Sequence, residues 1–152
     1  MIIPNLMKQI GDAMKAHDAV RVSTLRGLSA ELKNAKINIY DPNATEQREL
    51  TEAEEIAVVR REAKKRKEAI EMYTKAGATD QSENEKAELT ILQEYLPAEV
   101  TEEEISKLIE ESISETGATG MQDMGKVISL VKTKNPNVDG SVVANLVKAK
   151  LS

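Results

Sequence analysis

Between residues 20 and 39 the apolar positions fall at Val22, Leu25, Leu28, Leu32 and Ala35, a spacing of three and four that sets them on one face of a helix. A shorter helix over roughly residues 5–15 precedes it. Asp41-Pro42-Asn43 closes the pair, because the residue before a proline is pushed out of the helical region and Asp and Asn favour turns. Thr51 with Glu54 three residues on has the form of a capping box and opens the longest helix, to about Gly77. Its apolar stripe follows a heptad through Ile56, Val59, Ala63, Ile70 and Tyr73, with Arg66 standing where an apolar residue is expected. A fourth helix starts near Asp80 and is expected to bury Leu89, Leu92 and Leu96 before Pro97 stops it.

After Pro97 the pattern restarts. Thr101 and Glu104 form a second capping box, with Val100 and Ile105 spaced for a hydrophobic staple across it. This places a domain boundary between residues 1–97 and 98–152. Three helices are expected in the second part, over residues 101–115, 122–132 and 140–151. Gly117 and Asn135-Pro136-Asn137 separate them, and Asp139 is positioned as the N-cap of the last. No repeat at a solenoid period and no low-complexity segment interrupts this order.

Composition strengthens the all-α expectation: Phe and Trp are absent, Tyr is confined to Tyr40, Tyr73 and Tyr95, and 31% of residues are charged. The absence of cysteine excludes disulfides, thiolate metal sites and a cysteine nucleophile, and it suits a reducing compartment. The first ten residues lack the basic start and apolar run of a signal peptide, and no stretch approaches the roughly 18 apolar residues of a membrane span, so a cytoplasmic location is expected. A formal net charge of -5 means that any nucleic-acid role must rest on local patches.

The chemistry-bearing residues are few. His17 is the single histidine and falls in a polar connection, which leaves a serine triad or a histidine metal cluster without parts. The 26 carboxylates guarantee neighbouring pairs by crowding alone. Residues 120–127, Gly-Met-Gln-Asp-Met-Gly-Lys-Val, match a P-loop through the glycines and Lys126, but Val127 replaces the Ser or Thr that holds magnesium, and an amphipathic helix precedes the motif instead of a strand. Gly117-Ala118-Thr119-Gly120 imitates the loop of a KH domain, a fold that needs strands. Neither motif has its context, and neither a metal nor an organic cofactor is called for.

Basic patches carry more. Six of the eight residues 60–67 are basic, and Arg60, Lys64 and Lys67 share one face, as a phosphate-contacting stripe requires. The competing reading is a solvated helix laced with weak ion pairs, since Lys64 and Glu68, Lys67 and Glu71, and Glu62 and Arg66 are each four apart. In residues 98–116 seven acids face one Lys, whereas in residues 117–152 five Lys face two Asp. Lys132, Lys134, Lys148 and Lys150 sit near expected helix C-termini, where cations also favour the helix dipole. Gly125 and Lys126 lack that explanation, because a helical glycine costs about 1 kcal/mol relative to Ala and a cation near the N-terminal end opposes the dipole. Helix packing and contact with a partner both account for such a pair.

The chain resembles the YqeY family over nearly its whole length. The resemblance is carried by Leu25-Arg26 and Leu32-Lys33-Asn34-Ala35, by the run from Arg60 to Tyr73, and by Glu88 through Leu96-Pro97. Farther on it continues in Thr101 to Glu104, in Asp123-Met124-Gly125-Lys126-Val127, and in Asp139-Gly140 with Leu146-Val147-Lys148. One departure is residues 132–137, where a more basic, glycine-containing loop is the family's pattern. The resemblance implies an N-terminal four-helix bundle and a C-terminal three-helix tail similar to that of the B subunit of the tRNA-dependent amidotransferase. There the tail holds tRNA while other domains do the chemistry.

The expectation is therefore a non-catalytic tRNA-binding accessory protein that assists aminoacylation or amidation, with Gly125, Lys126, Lys132, Lys134, Lys148, Arg60, Lys64 and Lys67 as candidate contacts. An alternative is a protein adaptor that docks on a synthetase, an amidotransferase or a ribosome-associated partner, motivated by the long charged helix from Thr51. An amidotransferase in its own right would need an ammonia source and an ATP site, and the sequence offers a signature for neither.

Overall fold

The structure is a computed structural model that describes residues 1–152. It is all-α: α1 (Ile3–Lys15), α2 (Ala19–Asn38), α3 (Glu52–Lys75), α4 (Thr79–Gln93), α5 (Glu102–Thr116), α6 (Met124–Lys134) and α7 (Gly140–Leu151), with a 3-10 turn at Met121–Asp123 and no strand. The chain divides into two compact units, Met1–Leu96 and Pro97–Ser152.

In the first unit the helix ends are set by short-range chemistry. Asp18 accepts a hydrogen bond from the Arg21 N–H and starts α2, after a tight connection in which His17 takes a left-handed conformation, φ 57. Thr51 and Glu54 form the expected reciprocal capping box at the start of α3. Leu6 and Ile10 of α1, Leu25, Leu28 and Leu32 of α2, Val58 and Val59 of α3 and Leu92 of α4 make the core. Each such side chain contributes about 1.5–3 kcal/mol by leaving water. Helix α2 contacts α1, α3 and α4, which explains why Leu25, Leu28 and Leu32 are all fully buried.

The buried face of α3 is rotated from the heptad expectation. Glu55, Val58, Val59, Glu62 and Ala63 are buried, whereas Ile56 and Ile70 are half-buried and Tyr73 is 37% exposed. Two carboxylates lie on this buried face, one bonded to another helix and one to a neighbour on α3 itself. Glu55 accepts hydrogen bonds from the backbone N–H groups of Ile2 and Ile3, and Glu62 takes the Lys65 ammonium at 2.6 Å. Arg66, the apparent break in the stripe, turns to α4, with Nε 3.0 Å from Glu88 and Nη1 3.5 Å from Glu85. In α4, Ile91 and Leu92 are buried and Leu89 is half-buried. The helix ends at Gln93, short of Pro97, which leaves Leu96 half-buried beyond it.

The second unit closes on Ile105 and Ile109 of α5, Val127 and Val131 of α6, Val143 and Val147 of α7, and Val138 from the connection. Thr101 and Glu104 cap α5, and Val100 packs on the cluster containing Ile105. Gly117 ends α5 in the left-handed region at φ 65, a conformation costly for any residue with a Cβ. Asp139 accepts from the N–H groups of Ser141 and Val142 at the start of α7. Helix α6 begins later than the pattern implied, because Met121–Asp123 form a 3-10 turn first, and it runs on to Lys134.

Candidate nucleic-acid interface

The later start of α6 changes the setting of Gly125 and Lys126. Both lie in the first turn of the helix and are exposed, so Gly125 does not interrupt a helix interior. A Cβ added at Gly125 would meet nothing within 4 Å, which removes close helix packing as its explanation. The Lys126 side chain is 75% exposed, and its only ion-pair neighbour is Asp123, at 3.9 Å. Residues 120–127 thus form a turn leading into an amphipathic helix, following helix α5, and have none of the strand context of a P-loop.

The remaining lysines of this unit differ in commitment. Lys134 reaches across to α5, where Nζ lies 2.6 Å from Glu115 and 3.5 Å from Glu111. The Glu115 carboxylate holds its ammonium above the ordinary lysine range. Lys150 likewise donates to Glu110 at 2.6 Å, and that bond holds the Glu110 carboxyl below its usual range. Lys132 lies along the start of α7, since a Cβ added at Gly140 would sit 3.3 Å from its Nζ. Lys148, in the last turn of α7, is exposed. The lopsided charge along this part of the sequence is therefore partly internal complementarity, with acidic α5 neutralising Lys134 and Lys150 but not Lys126, Lys132 or Lys148.

The basic run of α3 is mostly used within the first unit. Arg61 lies 3.6 Å from Glu31 of α2, and Arg66 faces the α4 carboxylates. Glu62 pairs with Lys65, so the anticipated Glu62 and Arg66 pair does not form. Arg60 and Lys67 have partners of their own, and Lys64 is exposed. Arg60, Lys64 and Lys67 belong to one unit and the five C-terminal candidates to the other.

Two arrangements were not anticipated from the sequence. Glu55, fully buried, supplies the acceptor for the N-terminus of α1, which has no side-chain cap of its own. Arg21 makes a two-pronged contact with Glu94, at 2.9 and 2.7 Å, joining the start of α2 to the end of α4. The hydrogen bond from Arg21 holds the Glu94 carboxyl low and raises the Arg21 guanidinium in return. No group of three or more His, Cys, Asp or Glu side chains is arranged to hold a metal ion. No helix is long and apolar enough to cross a membrane.

Comparison with known proteins decides the family. The family model described as Yqey-like protein matches residues 4–151. The chain belongs to the YqeY family. Among its relatives, uncharacterized protein C22F3.15 of Schizosaccharomyces pombe is 31% identical over 99 residues, covering 62% of this chain and 75% of that protein. Altered inheritance of mitochondria protein 41, mitochondrial, of Pyrenophora tritici-repentis is 27% identical over 138 residues, 87% of this chain and 72% of that protein. Within this YqeY protein, the stretches that carry the resemblance serve two purposes. Leu25, Leu32 and Val127 are core, while Arg26, Lys33, Asn34, Gly125, Lys126 and Lys148 lie at the surface.

Proposed function

We propose that this YqeY protein is a non-catalytic accessory factor that binds folded tRNA through its C-terminal unit and assists aminoacylation or amidation carried out by another enzyme. The observation that carries the reading is the exposed Gly125-Lys126 step at the start of α6. There a cation 75% exposed has only Asp123, at 3.9 Å, as an ion-pair neighbour, on a backbone with open space where a Cβ would be. Lys148 and Lys132 add two further cations of the same unit, whereas Lys134 is held by α5 and becomes a contact only if that pairing is released. The resemblance of this unit to the tail of the amidotransferase B subunit points to tRNA over other polyanions. Three tyrosines, of which none lies in this unit, offer little stacking surface for single strands.

Titration of the full chain with tRNA across a salt series tests the reading. Affinity should fall as salt rises, with a slope of about -0.9 per phosphate neutralised, and Lys126→Glu should weaken binding and flatten that slope by about one contact. Absence of binding tighter than about 10⁻⁴ M at low salt, the weak end of ordinary non-specific affinity, refutes it.

A further inference from the structure

The α1 and α2 helices together hold six cations against two acids, with a third acid, Asp18, in the connection between them. Arg21 is taken by Glu94 and Lys36 by Glu49, while the acid Glu31 is taken by Arg61. Lys8, Lys15, Arg26 and Lys33 remain exposed and without a carboxylate partner. The same two helices carry exposed apolar groups. Met7 is 68% and Met14 51% exposed, although Leu6, Ile10 and Ala13 of the same helix are buried. Arg26 joins the two helices at this surface, with Nη2 3.5 Å from the Met14 sulfur. Beside that contact an open cleft of about 530 Å³ is lined by Met14, Ala19, Val22 and Ser23, together with His17 and Asp18.

Two glycines mark the same surface. Gly11 stands between Met7 and Met14 at the four- and three-residue spacing of one helix face, and Gly27 follows Arg26. A Cβ at either would meet nothing within 4 Å, so packing inside this chain does not call for a glycine at either place, although alanine is the better helix former. A missing side chain allows another backbone to approach closely, and exposed methionines adapt to varied apolar partners.

We propose that the outer surface of α1 and α2 around Met7, Gly11, Met14 and Arg26 docks an acidic amphipathic helix of a protein partner. Apolar residues of that helix enter the cleft beside Met14 and Val22, its backbone passes over Gly11, and flanking carboxylates meet Arg26, Lys15 and Lys8. A nucleic acid suits this surface less well, because Met14, Ala19 and Val22 give the cleft an apolar side and the Asp18 carboxylate lies in its wall. The proposal is independent of the tRNA reading, which concerns the other unit.

The test uses the full chain labelled on methionine methyl groups and three probes: a leucine-striped helical peptide flanked by glutamates, the same peptide with lysines for the glutamates, and tRNA. The acidic peptide is expected to shift the Met7 and Met14 methyl resonances saturably while leaving Met121 and Met124 in place. Arg26→Glu should weaken it by about tenfold or more, as expected for loss and reversal of a facing charge, and the lysine peptide should recover part of the loss. Gly11→Leu should keep the folded spectrum and remove the shift. Unmoved Met7 and Met14 resonances, equal shifts from the lysine peptide, or shifts from tRNA alone overturn the proposal. Binding of tRNA that is lost in Lys126→Glu with the peptide response intact separates its fate from that of the tRNA reading.

Discussion

Replacing Glu55 by glutamine tests how the first helix is held. Glu55 is fully buried on α3 and accepts from the N–H groups of Ile2 and Ile3, two of the donors left unpaired at the start of α1. Hydrogen bonds to a charged acceptor are worth about 1.5–3 kcal/mol each, and a carboxylate there also meets the positive end of the α1 dipole. Glutamine preserves the shape and one oxygen acceptor, but it turns an NH₂ group towards the second donor. The expected loss is about 2–3 kcal/mol for Glu55→Gln, and about 3–5 kcal/mol for Glu55→Ala, which also leaves a cavity. Because the chain has two units, a single melting temperature is a poor readout. Amide hydrogen exchange resolves them: protection of α1 should fall by roughly 30- to 150-fold in Glu55→Gln, with α5, α6 and α7 unchanged. Protection of α1 within about threefold of the parent protein would refute the account, as would an equal loss in α5.

Two further predictions concern charges. Glu111→Gln with Glu115→Gln removes both partners of Lys134 and should steepen the salt dependence of tRNA binding by about one phosphate contact; an unchanged slope places Lys134 off the binding surface. The Arg48 hydrogen bonds hold the Glu54 carboxyl at about 2, against an ordinary value of 4.5. A depressed carboxylate stabilises the fold above its unfolded value, and that contribution is lost as the pH falls through the folded value, so the α3 cap should persist from pH 4.5 down towards pH 2. Carbon-detected titration of Arg48→Ala should show Glu54 moving up towards 4.5 and the cap failing at correspondingly higher pH; an unmoved Glu54 would assign the depression to the Thr51 backbone alone.

The all-α class, both capping boxes, the Asp139 cap and the glycine end of α5 were legible in the residues themselves, because each depends on groups within four positions along the chain. The leucine spacing of α2 likewise identified its buried face. What tertiary structure decided was the partner of each charge and the rotation of α3. Glu55 reaches 53 residues back to Ile2, Arg21 joins Glu94 across 73 residues, and Lys134 meets Glu115 across 19. Periodicity cannot foresee a carboxylate on an inner face, since the N–H groups that stabilise it belong to another helix. The same limit applied to the candidate interface, where the sequence offered Lys132, Lys134 and Lys148 as contacts beside Lys126 with nothing to separate the first three. Packing against acidic α5 separated Lys134 from Lys126, because an ammonium 2.6 Å from a carboxylate has exchanged its water for a partner, whereas one that is 75% exposed has not.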